Sequence, residues 1–148
     1  MQAVTGPLLE ASAVRIDIDG ASVVDGLSFA SDGALILVQG APRALFEAVC
    51  GIRSVARGTL RVLGQAPGRA AGAPLDPPIP AAWTARDYVL WSARLAGNKE
   101  AKEATERAMQ ALGLLAVART RLGKLARVVR RAVVVASALA TGAEVLVL

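Results

Sequence analysis

Apolar and polar residues alternate through the first third of the chain. Val14, Ile16 and Ile18 interleave with Arg15, Asp17 and Asp19, the period of two that marks a half-buried strand. Asp19-Gly20 then predicts a hairpin turn, with the return beginning at Val23 and Val24 and a further alternating pair at Leu27 and Phe29. After Ser31-Asp32-Gly33 the pattern becomes a nearly continuous apolar run, Ala34 to Gln39, which suits a buried central strand. From about Arg43 to Gly51 the spacing turns helical: Leu45, Val49 and Ile52 share one face, and Gly51 is placed as a stop. GTLRVLG (58–64) alternates again, with Leu60 and Val62 on one face, and reads as a strand between glycines.

The segment QAPGRAAGAPLDPPIPAA (65–82) holds Pro67, Pro74, Pro77, Pro78 and Pro80, which exclude a helix and keep the backbone extended. Thr84 with Asp87 three residues on resembles a capping box, and Tyr88, Trp91 and Leu95 recur at helical spacing up to Gly97. A second helical pattern runs from about Lys99 to Val117, with Ala108, Ala111, Leu112 and Leu115 on its apolar side, so the two predict a helical hairpin. Leu125–Ala140 is a third helical stretch that turns apolar after Arg131. Glu144–Leu148 has strand character. No internal repeat interrupts this order.

Composition narrows the class. A length of 148 residues fits one compact domain burying roughly two thirds of its unfolded surface, and 54% apolar with 20% charged residues excludes a disordered tail. Aromatics are only 3%, so Ala, Val and Leu must fill the core and no extended stacking platform for single-stranded nucleic acid is expected. With no His, Ser-His and Cys-His catalysis are excluded along with the commonest zinc ligand; with one Cys, so is an internal disulfide. A reducing, cytoplasmic setting is the expectation. The start MQAVTGPLLEA has no basic residue ahead of its apolar stretch, which is not the layout of a secretory signal. Ala132–Ala143 is short of the roughly 20 residues a membrane span needs and is expected to be buried in protein.

The net charge is +5, and Arg119, Arg121, Lys124, Arg127, Arg130 and Arg131 lie in a segment without an acid. Such a cluster suits a solvated helix face or the rim of a protein interface, and it also suits phosphates or acidic lipid headgroups. No base-reading motif or aromatic interleaving accompanies it, so no specific nucleic-acid partner is expected.

An antiparallel β section, a strand ending in glycine, a turn and a helix form the setting of a phosphate-binding loop. In this order LLEASAVRIDIDGASVVDGLSF, ALILVQG, VCGIRSVARGTLRVLGQ, the proline-rich loop, WTARDYVLWSARLAG and RLGKLARVVRRAVVVASALATGAEVLVL resemble the nucleotide-binding domain of ABC transporters across essentially the whole chain. The resemblance implies an α/β, P-loop NTPase-like three-layer core, incomplete here, with an N-terminal antiparallel β section and a helical subdomain. It implies a single degenerate domain: 1–83 as β section, first core helix and proline-rich loop, 84–124 as helical subdomain, and 125–148 as return helix and final core strand. It also implies ATP held between two such domains that act on a membrane permease.

The chain departs from that chemistry at each step. The loop position is Gly40, Ala41, Pro42, Arg43 and Ala44, and counting from Gly40 the required Gly, Lys and Ser or Thr fall on Leu45, Phe46 and Glu47. None can substitute for the glycine that lets amides curl around phosphate, the lysine that neutralises it or the hydroxyl that holds magnesium in the motif. Pro42 removes a further N–H. Ile18 stands where the family has an adenine-stacking aromatic, and Leu75 or Asp76 where it has a glutamine. The family's signature corresponds to Leu125, Ala126, Arg127, Val128 and Val129, without its glycines and serine. The final strand stops before the carboxylates of the family's Walker B motif. The resemblance therefore implies no catalytic or metal-binding residue, no bound ATP or Mg, and no ATPase activity, since phosphoryl transfer depends on positioning and on metal and lysine electrostatics.

Three readings remain open at the level of sequence: a non-hydrolysing structural or regulatory relative, a genuine ATPase subunit whose remaining sequence lies elsewhere, and a decayed gene product. The first places a partner-binding surface at Asp76, Trp83, Tyr88, Trp91 and Arg94, where the family receives the permease. Its expected partners are a permease subunit, another ABC ATPase-like subunit or a second copy of the chain, at the inner face of the membrane.

Overall fold

The computed structural model describes residues 7–33, 35–40, 42–68 and 70–148. The chain divides into two compact units, one within Met1–Ala70 together with Val147, the other spanning Ala71–Leu146 with Leu148.

In the first unit β1 (Leu9–Ile18) and β2 (Ala21–Ser31) form the expected hairpin. Its two-residue turn has Asp19 at φ 51° and Gly20 at φ 81°, the left-handed pair whose twist matches that of the flanking strands. β3 (Arg57–Val62) pairs antiparallel with the other side of β1, giving the order β2-β1-β3 with Ala11 opposite both Phe29 and Leu60. Leu9, Ala11, Val14 and Ile16 of β1 are buried. The alternation slips by one residue between Ala11 and Val14, where the pairing register shifts and Ala13 takes φ 48°; this irregularity keeps both halves of the strand facing the core. The helix α1 (Pro42–Val49) covers that face, packing on β1 and β3 through buried Ala44, Leu45, Ala48 and Val49.

Two expectations for this unit are corrected. Residues 35–39 form no strand, and Leu35 and Leu37 are 90% and 83% exposed; Ala34 lies outside the described residues. An apolar run becomes a central strand only when neighbours on both sides take up its backbone hydrogen bonds, and no described strand pairs with it. Ile52 is 71% exposed, because α1 ends at Val49 and the chain turns away before the next helical position.

The second unit packs α2 (Ala85–Leu95), α3 (Ala101–Ala111) and α4 (Arg127–Ala140) against one another. Short 3-10 turns at Leu115–Val117 and Leu122–Lys124 lie between α3 and α4. A two-stranded sheet pairs β4 (Ala70–Gly72) with β5 (Val145–Val147). α2 starts at the predicted cap: the Asp87 N–H donates to Thr84 Oγ1 (3.1 Å), and the Thr84 hydroxyl donates to Asp87 Oδ2 (2.6 Å). The apolar half of α4 is buried at Val133, Val134, Ala136, Ala138 and Ala140.

The face that α2 buries differs from the predicted one. Ala85, Val89 and Ala93 point inward, while Trp91 is 46% and Leu95 84% exposed. α2, α3 and α4 meet through alanines, including Ala104, Ala108 and Ala136, and small side chains let helices approach closely where an indole would hold them apart. On the second helical pattern, Ala108 is buried, but the α-helix stops at Ala111, and Leu112 and Leu115 face solvent. The proline-rich loop is extended as expected, with β4 as a short strand within it.

Candidate functional site

Gly40 precedes α1 with φ 107°, a left-handed conformation suited to glycine. Ala41 lies outside the described residues, and Pro42 is the first residue of the helix, where the lack of an N–H removes a donor from its N-terminus. Ala44 is buried. Arg43 is exposed and turned along the helix: its Nε donates to Glu47 Oε1 at 2.9 Å, one helical turn on. From the other side Arg53 donates through Nε to Glu47 Oε2 (2.8 Å) and through Nη1 to the Asp17 carbonyl (3.3 Å). Glu47 thus sits between two guanidiniums. These hydrogen bonds, that of Arg43 first, hold its carboxyl below the ordinary value of 4.5, with burial opposing.

The signature position lies at the start of α4. Leu125 is buried, Ala126 is the cap without a side-chain bond, Val128 is 76% exposed and Val129 half-buried. Arg127 reaches Asp76 of the proline-rich loop at 3.7 Å; both groups are well exposed, so the pair contributes little stability. One turn further on, Arg131 Nη1 donates to the carbonyls of Ala73 and Pro74. The basic start of α4 therefore straps the loop down.

Of the five residues expected at a partner surface, Trp83 and Arg94 each stand against Trp91. The two indoles lie 6.5 Å apart at a tilt of 48°, and the Arg94 guanidinium stands 5.3 Å from the centre of the Trp91 ring, within cation–π range. Tyr88 is half-buried and packs beside Ala73, Val134 and Ala138. Burial pushes its phenol up, opposed by a hydrogen bond with Ser137. Asp76 is engaged by Arg127. A pocket of about 270 Å³ in the same unit is lined by Asn98, Arg107 and Leu139 among others. Its polar groups are already committed: Asn98 bonds the Ala140 carbonyl and the Glu100 N–H, and Arg107 pairs with Glu100.

No protein-family model matches the sequence, and no curated protein matches it. Solved structures do. A metal-chelate type ABC transporter in an inward-facing conformation superposes with a TM-score of 0.77 at 17% identity, over 95% of this chain and 59% of that one. An ABC transporter ATP-binding protein from Pyrococcus furiosus superposes at 0.73 with 20% identity, over 93% of this chain and 72% of its own. CbiO1 from Clostridium perfringens, part of the ABC transporter complex cbiONQ, superposes at 0.69 with 15% identity, over 95% and 64%. The fold is that of ABC transporter ATP-binding subunits. The chain spans about three fifths to seven tenths of the length of these three structures.

Within the ABC ATP-binding fold the resemblance assigns nucleotide phosphate to the turn before α1. The residues there differ from those the resemblance calls for. The turn has no lysine, Pro42 has no amide hydrogen, and Arg43 is drawn to Glu47. At the signature, the Arg127 and Val128 side chains occupy positions at which glycine amides would approach a ligand.

Sequence reading missed the three-residue ion-pair network. The Arg43–Glu47 spacing of four was its available signal, whereas Arg53 enters from a loop and carries none. The Arg131 strap joins residues more than fifty positions apart, beyond the reach of local pattern. The network predicts an acid response. Because the folded-state pKa of Glu47 is lowered, its stabilisation is present above about pH 4.5 and is lost as pH falls through the lowered value. Denaturant midpoints measured across this window are expected to fall more steeply in the parent chain than in Glu47→Gln; parallel curves would contradict the network.

Proposed function

We propose that the chain is an ABC ATP-binding-subunit-like module that does not hydrolyse ATP and acts as a structural or regulatory partner of a membrane transport complex. One observation carries the non-hydrolysing part: at the phosphate-loop position, an internal Arg43–Glu47–Arg53 network stands where lysine and open amides would be needed. The transport setting is supported by the fold of the neighbours, one of which is part of a transporter complex. No helix among the described residues is long and apolar enough to cross a membrane. The partner is a permease subunit or a second ABC-type subunit, received at the face of Trp83, Trp91 and Arg94, with Asp76 and Tyr88 supporting it from the loop and the α2–α4 contact. The site of action is the inner face of the membrane.

Labelled ATP with Mg, titrated into the purified chain, is expected to show no saturable binding in the micromolar range and no phosphate release above buffer. Saturable binding, weakened by Arg43→Ala, would overturn the reading of the loop.

A further inference from the structure

In the first unit the run Leu35-Ile36-Leu37-Val38-Gln39 is uncharged and largely apolar, without proline or glycine, a composition that favours pairing as a strand. Its exposure alternates: Leu35 and Leu37 stand 90% and 83% open, while Ile36 between them is half-buried. That is the period of two of an extended strand with one face uncovered. Among the described residues none exchanges a backbone hydrogen bond with this run. Its amide and carbonyl groups are therefore open to an incoming strand. The flanks carry opposite charges, Asp32 on the N-terminal side and Arg43 on the C-terminal side, and both are exposed. Among the described residues no cation stands within ion-pair distance of Asp32.

We propose that residues 35–39 are a strand-pairing surface for a second copy of this chain, the two runs lying antiparallel about a two-fold axis at Leu37. Charge complementarity selects this occupant and this direction. Antiparallel pairing centred on Leu37 brings Asp32 of each copy within one position of Arg43 of the other, whereas parallel pairing would set Asp32 against Asp32 and Arg43 against Arg43. Every residue between Asp32 and Arg43 is uncharged, so two chains of net charge +5 can approach here without a like-charge pair. In this register Leu37 meets its own copy, Ile36 meets Val38 and Leu35 meets Gln39. A two-fold pairing uses the same residues on both sides and closes as a dimer. Five residues a side are far fewer than the roughly 20–30 of a stable interface, so the dimer is weak and follows concentration. The run belongs to the first unit, whereas Trp83, Trp91 and Arg94 belong to the second; the inference goes beyond the transport reading and leaves that surface to its partner.

Sedimentation velocity of the purified chain over about a hundredfold range of concentration is expected to show a monomer passing to a dimer. Leu37→Lys sets two like charges together at the axis and is expected to weaken the dimer about tenfold or more, with unchanged circular dichroism. Ile52→Lys, which adds the same charge at another exposed apolar position of the unit, is expected to leave dimerisation as it was. A cross-link reads the register. With Cys50→Ser removing the native thiol, Leu37→Cys is expected to form an intermolecular disulfide in oxidised glutathione, because residues paired at the axis stand about 4.5–5.5 Å apart at Cα. Leu35→Cys in the same background lies about 14 Å from its copy and is expected to form little. A monomer at every concentration, a dimer undiminished by Leu37→Lys, or a disulfide forming as readily at Leu35→Cys as at Leu37→Cys would overturn the proposal. Each of these outcomes leaves the transport reading standing, and Mg-ATP binding would remove the non-hydrolysing reading without touching the dimer.

Discussion

Gly58→Ala is expected to destabilise the β unit by about 4 kcal/mol or more. Gly58 lies in β3 at φ 83°, opposite the point where β1 bulges. A Cβ there would stand 2.3 Å from the Ala13 carbonyl oxygen and 2.4 Å from that of Ser12. Both obstacles are backbone, so no side chain can swing aside, and relief requires β1 and β3 to part. Gly64→Ala is the control. It shares the positive φ, at 71°, but meets nothing within 4 Å, and should cost only the backbone term of about 1–2 kcal/mol. Far-UV circular dichroism during urea unfolding, with amide exchange in β1 and β3, separates the two. Equal losses would mean that the close approach of β1 to β3 is wrong.

The second large effect is at Met109. Its side chain is fully buried and is among the largest in a cluster otherwise rich in alanine, including Ala85, Ala93, Ala104, Ala108, Ala136 and Ala140. Alanines have no free length with which to fill a void, so Met109→Ala is expected to cost about 3 kcal/mol through lost transfer energy and a persistent cavity. Met109→Leu keeps the volume and should cost less than about 1.5 kcal/mol. Tryptophan emission follows this unfolding, as Trp83 and Trp91 belong to the same unit. A Met109→Ala loss no larger than that of Met109→Leu would show that the helices close over the gap.

Much of the fold was legible in local pattern. The hairpin, the turn at Asp19-Gly20, the cap at Thr84 and the stops at Gly51 and Gly97 are short-range features, and each appears where the residues place it. At the candidate site the missing lysine was visible in sequence. What replaces it was not. The Arg53 contact to Glu47 requires a loop to fold back on α1, and the Arg131 bonds to Ala73 and Pro74 require α4 to meet a segment far away in the chain.

The errors share a cause. Tyr88, Trp91 and Leu95 recur at a spacing that usually marks the covered face of a helix, but α2 buries its alanine and valine positions instead. Residues 35–39 were read as a central strand because an apolar run often is, although burial depends on neighbours.

By itself the sequence determined the order and type of most elements, the turn and cap chemistry, and which residues stand at the phosphate-loop position. These depend on residues a few positions apart or on identity alone. Only the tertiary structure decided which face of α2 is covered, that Glu47 is shared by two arginines, and that Leu35 and Leu37 are left exposed. Such facts arise from which distant surfaces meet, and local spacing does not encode a neighbour that arrives from elsewhere in the chain.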